Sequence, residues 1–208
     1  MLINLFLLRH GEPELTKAFL GRTDSPLSAH GFEQMTQAVA DLRLDEVVTS
    51  PLLRCRTFSE HLGAQRQLPV VVDERWQECD FGEWDGLSVA EVGRLYGDLL
   101  GQCCERPATP MPRAERFEDF VTRVDEVFQA CLDGCRGAGV DGGEQRSVLV
   151  VSHAGVIKTI IAGWLGMPRD DGRYIRELVV DYAGLTHLSL FVDDRAVEWK
   201  GCHFVNRV

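Results

Sequence analysis

Two histidines stand where an apolar, strand-like run gives way to glycine. Leu8-Arg9-His10-Gly11 closes one run, and Ser152-His153-Ala154-Gly155 closes another and opens a helix-like stretch. One histidine at a strand end is ordinary packing. Two, each followed within two residues by glycine, point to an anion site, because glycine lets main-chain N–H groups approach an anion closely. The helix start after His153 adds partial positive charge. Arg9 precedes the first histidine, and Arg54 lies one turn into the helix that Ser50-Pro51 announces. A guanidinium fork matches phosphate oxygens, and charge-assisted bonds are roughly twice as strong as neutral ones. Arg9, His10, Arg54 and His153 together can therefore form a basic pocket for a phosphate-like group. A carboxyl group near phosphate is repelled unless protonated, and in that form it can serve as an acid. Glu78, Asp80, Glu83 and Asp85 all lie in one short segment. The residues alone leave the choice among them open.

The elements that must position these groups alternate between strand and helix. Residues 2–8 form an apolar run expected to be a strand buried on both faces. Ser28 caps a predicted helix to about Leu42, with Phe32, Met35, Val39 and Leu42 at helical spacing. Strands are expected at Glu46–Thr49 and Val70–Val72. Ser50 as N-cap with Pro51 at the first helical position predicts a helix start. Residues 76–87 read as a structured loop, Ser88 begins a short helix, and residues 101–114 read as an irregular excursion. Glu115–Cys135 is a long amphipathic helix with Phe117, Phe120, Val124, Val127, Phe128 and Cys131 on one face. Four glycines make residues 137–146 a loop. Ser147–Ser152 is a central strand, followed by a helix from Gly155 to Leu165. Leu178–Tyr182, Leu185–Val192 and Ala196–Trp199 are expected strands, the last two joined at Asp193-Asp194 as a hairpin. This order predicts an α/β fold, a three-layer α/β/α sandwich with a mostly parallel sheet. In such sheets ligands bind beyond the carboxyl ends of strands, where both histidines fall.

Bulk properties narrow the function classes. The chain has 208 residues, 45% hydrophobic and 26% charged, an ordinary globular balance. That length fits one domain over residues 1–208, with a small cap-like excursion at about 87–115. The net charge of −10 and the lack of a basic run argue against a nucleic-acid partner. No apolar run reaches the roughly 18 residues that span a bilayer, so no membrane association is expected. The opening residues read as a first strand, not a secretion signal. Seven cysteines, an odd number with no Cys-x-x-Cys, suit reduced thiols and a cytoplasmic location. Cys131 and Cys135 share a helix face, but no nearby histidine completes a zinc set. A dinucleotide-binding oxidoreductase lacks its Gly-x-Gly-x-x-Gly.

Five segments in order resemble the histidine phosphatase superfamily, which includes cofactor-dependent phosphoglycerate mutases. They are Leu8–Glu12; Gly21-Arg22-Thr23-Asp24-Ser25-Pro26-Leu27-Ser28 with Gly31; Ser50–Arg54 with Thr57; Glu78–Gly86; and Val151–Val156. The resemblance implies a phosphoglycerate mutase-like fold and a phosphatase that needs no metal or other cofactor. It makes His10 the nucleophile and Glu78 the acid, then base. Arg9, Arg54, His153 and the Ala154 N–H would hold the phosphate oxygens. A hydrogen bond from the other nitrogen of His10 would fix its tautomer, and a carbonyl near Gly11 is the suggested partner. Family members often carry Asn about six residues after the first histidine. Here Thr16 stands there, and Gly21 and Arg22 are the alternative substrate contacts. The short, charge-balanced stretch before His153 favours hydrolysis over mutase activity. The opening loop, the Ser152–Lys158 run and the partial match at Ala114-Glu115-Arg116 are similar to α-ribazole phosphatases of cobalamin biosynthesis. The expected partner is thus a small phosphorylated metabolite, with α-ribazole 5′-phosphate first. A broad-specificity phosphatase, a phosphoglycerate mutase and a catalytically silent scaffold are the alternatives. A homodimer is the base-rate expectation.

Overall fold

The computed structural model describes residues 1–138, 145–193 and 195–208. The first apolar run is strand β1 (Leu2–Arg9), buried on both faces along its centre. Then follow α1 (Ala29–Ala38), β2 (Glu46–Thr49), α2 (Leu53–Arg66), β3 (Val70–Val72), α3 (Val89–Tyr96), α4 (Asp98–Glu105) and α5 (Phe117–Ala138). The chain ends with β4 (Gln145–Ser152), α6 (Ala154–Trp164), α7 (Arg173–Glu177), β5 (Leu185–Val192) and β6 (Glu198–Arg207). The sheet order is β3-β2-β4-β1-β5-β6. The pairs β3–β2, β2–β4 and β4–β1 are parallel, while β5 and β6 add antiparallel pairs at one side.

Strand alternation divides the core in two. Ile3, Leu5 and Leu7 of β1 and Val148 and Val150 of β4 pack with Phe120 and Val124 of α5 and Ile157 and Ile160 of α6. Phe6 and Leu8, with Leu149 and Val151, pack on the other side with Met35 of α1 and Phe58 and Leu62 of α2. Helices thus cover both faces of a mixed sheet, the expected three layers. Burying each Leu, Ile or Phe fully contributes about 1.5–3 kcal/mol, and both faces draw on the two central strands.

The parallel register brings the two histidines to one sheet edge. Arg9 pairs with Ser152 and Thr49 with Val151. The next residues, His10, His153 and Ser50, therefore leave three adjacent strands at the same end of the sheet. His10 N–H donates to Ser152 O at 2.9 Å and Ser50 N–H to Val151 O at 3.0 Å, which extends the ladder one step.

Several boundaries differ from the sequence reading. Ser28 does cap α1, accepting from Gly31 N–H, but the helix stops at Ala38. Val39 is still buried, in a turn that continues the apolar stripe. The second helix starts at Leu53, so Ser50 is not its cap. Instead Asp24 Oδ1 accepts from Leu53 N–H at 2.7 Å. Within the supposed excursion, residues 98–105 are the helix α4, and only residues 106–116 are irregular. Leu178–Tyr182 is no strand: Val180 O accepts from a side chain, and Asp181 N–H donates to Asn206 Oδ1. The last strand begins at Glu198 and runs to Arg207, well past the expected Trp199. The glycine loop read at 137–146 falls largely outside the described residues, as does Asp194 of the hairpin.

Candidate active site

Histidines 10 and 153 face each other across the two central strands. Their ring centroids are 5.3 Å apart in an edge-on arrangement. His10 is buried, and its Nδ1 lies 2.8 Å from Gly11 O. A carbonyl only accepts, so Nδ1 carries the proton and Nε2 keeps a lone pair. Burial, then Arg54 and Arg9, pull the His10 pKa well below 6.5. The ring is therefore neutral at pH 7, as a nitrogen nucleophile must be.

His153 caps the start of α6 and is fully buried. Arg54 Nε donates to its Nδ1 at 3.3 Å, so the His153 proton sits on Nε2, 2.8 Å from Ser50 Oγ. Burial and Arg54 also hold this ring neutral. The Ser50 side chain thus serves His153 where the sequence suggested a helix cap. Cys55 Sγ is 3.7 Å from His153 Nε2, a thiol–imidazole pairing that can in principle make a nucleophile. Burial pushes this thiol up to about 12, so it stays protonated and inert.

The two arginines differ in how they are held. Arg54 is fully buried and donates from Nη1 to Thr23 O and from Nη2 to Leu20 O and Gly21 O. It folds the 20–23 loop over the site and keeps one Nη1 hydrogen among the described contacts. Arg9 Nη1 donates to Val180 O at 2.8 Å, and its guanidinium stacks 4.1 Å from the Tyr182 ring centre. Arg9 Nε is buried without a partner among the described residues. An orphaned buried donor costs about 1–3 kcal/mol, which an anion's oxygen would offset.

The structure separates the four acids. Glu78 is buried; its Oε1 accepts from Cys79 N–H and its Oε2 from Gly155 N–H, each at 2.9 Å. That second bond ties it to the start of α6, beside His153. Asp80 accepts from Gly82 N–H, Glu83 bonds Tyr96 and Arg113, and Asp85 accepts from Arg22 and Thr23 N–H. Those three hold loops together.

The remaining expected contacts fall at the rim. Gly21 takes part through its carbonyl on Arg54. The Arg22 guanidinium lies 3.9 Å from Glu115 and makes no hydrogen bond or ion pair with the five central residues. Ala154 lines a cavity of about 520 Å³ together with Glu78, Gly155 and Lys158. Its other walls are largely apolar, including Phe19, Phe81, Trp84 and Phe117. Sequence reasoning missed Ser50, Tyr182 and Lys158. Tyr182, 5.7 Å from the His10 ring, lies in the segment that the sequence predicts as a strand. Lys158, one turn along α6, donates to Ile175 O. Among the described residues no three His, Cys, Asp or Glu groups converge as metal ligands, and no helix is long and apolar enough to cross a membrane.

Comparison with known proteins gives the same lineage. Residues 5–202 match the family model of the histidine phosphatase superfamily, branch 1. A bifunctional protein of Mycobacterium tuberculosis is 31% identical over 195 residues, covering 91% of this chain and 50% of that protein. The chain thus spans about half the length of that relative. The adenosylcobalamin/alpha-ribazole phosphatase of Escherichia coli is 29% identical over 174 residues, covering 81% of this chain and 82% of that protein. The structure of mycobacterial glucosyl-3-phosphoglycerate phosphatase with VO3 superposes with a TM-score of 0.82, at 25% identity over 99% of each chain. Motif order, strand register and family match agree: the chain belongs to the histidine phosphatase superfamily.

Proposed function

We propose that the protein is a phosphomonoester hydrolase in which His10 carries the phosphoryl group. The observation that carries this reading is the His10–Gly11 hydrogen bond, which leaves Nε2 unprotonated beside the buried Arg54 and the half-buried Arg9. In the first step Nε2 attacks phosphorus and the bond to the alcohol oxygen breaks, while Glu78 gives that oxygen its proton. In the second, Glu78 takes a proton from water, the water oxygen attacks phosphorus, and the P–N bond breaks to release phosphate. Splitting the reaction this way replaces one hard displacement by two easier ones. Arg9 Nε, the remaining Arg54 hydrogen, His153 and the Ala154 N–H bind the equatorial oxygens, where charge spreads in a loose transition state. His153 joins these donors as the imidazolium, favoured by the anion's charge: Nδ1 gains a proton for the oxygen and gives up its 3.3 Å contact with Arg54 Nε.

The apolar cavity beside Glu78 receives the alcohol part of a small phosphorylated metabolite. Leu100, Cys103, Pro107 and Met111 supply part of its wall, which supports residues 87–115 as its cap. Aromatic walls suit a flat, bulky leaving group, and with the E. coli relative they favour α-ribazole 5′-phosphate. Lys158 and Arg176 in the same wall favour a second reading, an anionic phosphoester of the glucosyl-3-phosphoglycerate type. Hydrolysis rates for these two substrates and for p-nitrophenyl phosphate decide between them. His10→Ala should remove turnover and the acid-labile phosphoenzyme; activity retained in that variant would sink the nucleophile assignment.

A further inference from the structure

Glu78 has a second support that motif reading does not reveal. Arg123 of α5 uses all five guanidinium N–H donors. Nη1 donates to Arg75 O at 2.7 Å and Gln77 O at 2.9 Å, and Nη2 to Glu78 O at 3.3 Å. The other two go to Glu115: Nε to Oε1 at 2.8 Å and Nη2 to Oε2 at 2.7 Å. Glu115 Oε2 also accepts from Asp80 N–H, and Glu115 N–H donates to Asp80 O. Both side chains are largely buried, at 17% and 14% exposure. The main chain from Arg75 to Asp80 is therefore gripped on both sides of Glu78, while the carboxylate itself is tied to α6.

From this geometry we infer that Arg123, anchored by Glu115, is a positioning residue for the proton-transferring carboxyl group of Glu78. The inference rests on the acid role proposed above for Glu78. The loop around it has only two short 3-10 turns, Glu74–Trp76 and Gly82–Trp84, to stiffen it. Arg123 replaces that missing regular structure with bonds to three carbonyls. Removing it frees the loop, and a 1 Å displacement of a reacting group costs on the order of a hundredfold in rate.

The test is a double-mutant cycle on a poor leaving group, an alkyl phosphate, with p-nitrophenyl phosphate as the activated control. Arg123→Ala should lower kcat for the alkyl ester on the order of a hundredfold, with a smaller loss for the aryl ester and little change in KM. Combined with Glu78→Gln, it should add almost nothing, since both act on one proton transfer. Losses that multiply in the double variant, or fall equally on both esters, would overturn the inference. Glu115→Gln, which keeps the side-chain volume, repeats the cycle should Arg123→Ala not fold. Arg123→Lys should restore little, because an ammonium cannot span the same fork. If Glu78→Gln alone slows both esters equally, the acid role fails, and that outcome is separate from failure of the clamp.

Discussion

His10, the nucleophile proposed above, works only as the free base, and the residues around it both permit and restrain it. The Gly11 carbonyl orients the ring, while burial and two guanidinium groups keep it unprotonated. Glu78 is the complementary group of that proposal, and its hydrogen bonds bear on its substitution. Both carboxylate oxygens accept from main-chain N–H groups. A glutamine can satisfy only one of these donors and has no proton to transfer. Glu78→Gln is expected to lower kcat by about 10²–10⁴-fold for alkyl phosphates, in line with general acid catalysis, and less for p-nitrophenyl phosphate. Steady-state rates across a leaving-group series check this, and equal losses throughout would contradict it. The convergence of Arg9, His10, Arg54, Glu78 and His153 was legible because each lies inside a short motif at a strand end, helix start or loop. Choosing Glu78 over Asp80, Glu83 and Asp85 needed the resemblance or the fold. Ser50, Tyr182 and Arg123 were not legible, because the site residues they touch, His153, His10 and Glu78, lie far off in the chain (103 positions for Ser50, 45 for Arg123) and follow no periodicity.

Among the elements, α6 joins the two halves of the proposed site. Its first turn follows His153 and presents the N–H that holds Glu78. Gly155 is needed less for anion approach than for that carboxylate. A Cβ there would stand 2.4 Å from Glu78 Oε1. Gly155→Ala should therefore push Glu78 aside while leaving the helix sound, since alanine is favoured over glycine in helices by about 1 kcal/mol. The expected result is a loss of roughly tenfold or more in kcat with a melting temperature near that of the parent. Unchanged kcat would mean that the Gly155–Glu78 contact does not matter for turnover. Apolar runs and strong periodicity made several elements readable from the sequence: β1, the short β2 and β3, β5 and most of α5. Errors fell where tertiary contacts replaced local signals. Asp24 rather than Ser50 serves the start of α2, and the segment at 178–182 gives its carbonyl to Arg9 instead of a strand.

The whole molecule carries a net charge of −10, yet its reactive edge gathers Arg9 and Arg54 around two buried neutral imidazoles. This arrangement has a cost that depends on pH. Unfolded histidines take up protons near pH 6.5, whereas His10 and His153 resist protonation until well below that value because of burial and the nearby arginines. The unfolded chain thus binds more protons as the pH falls, so stability is fully present above about pH 6.5 and declines below it. Each histidine contributes a slope of about 1.4 kcal/mol per pH unit within that window. His187, pushed down to about 4 by burial, His203 and Arg207, acts in the same direction. Asp73, held low chiefly by its hydrogen bond to Arg75, loses its share only below about pH 4. Inorganic phosphate should oppose the decline, because an anion between the arginines pairs with the imidazolium form and binds only the folded state. At a hundred times its Kd it would add about 2.7 kcal/mol, a rise of roughly 5–10 °C in Tm for a chain of this size. Urea midpoints from pH 7.5 to 5, with and without phosphate, measure both effects. A profile flat with pH would deny the buried neutral pair. A midpoint indifferent to phosphate at every pH would mean that the cations at the sheet edge do not form an anion site, and the phosphohistidine route would fall with it.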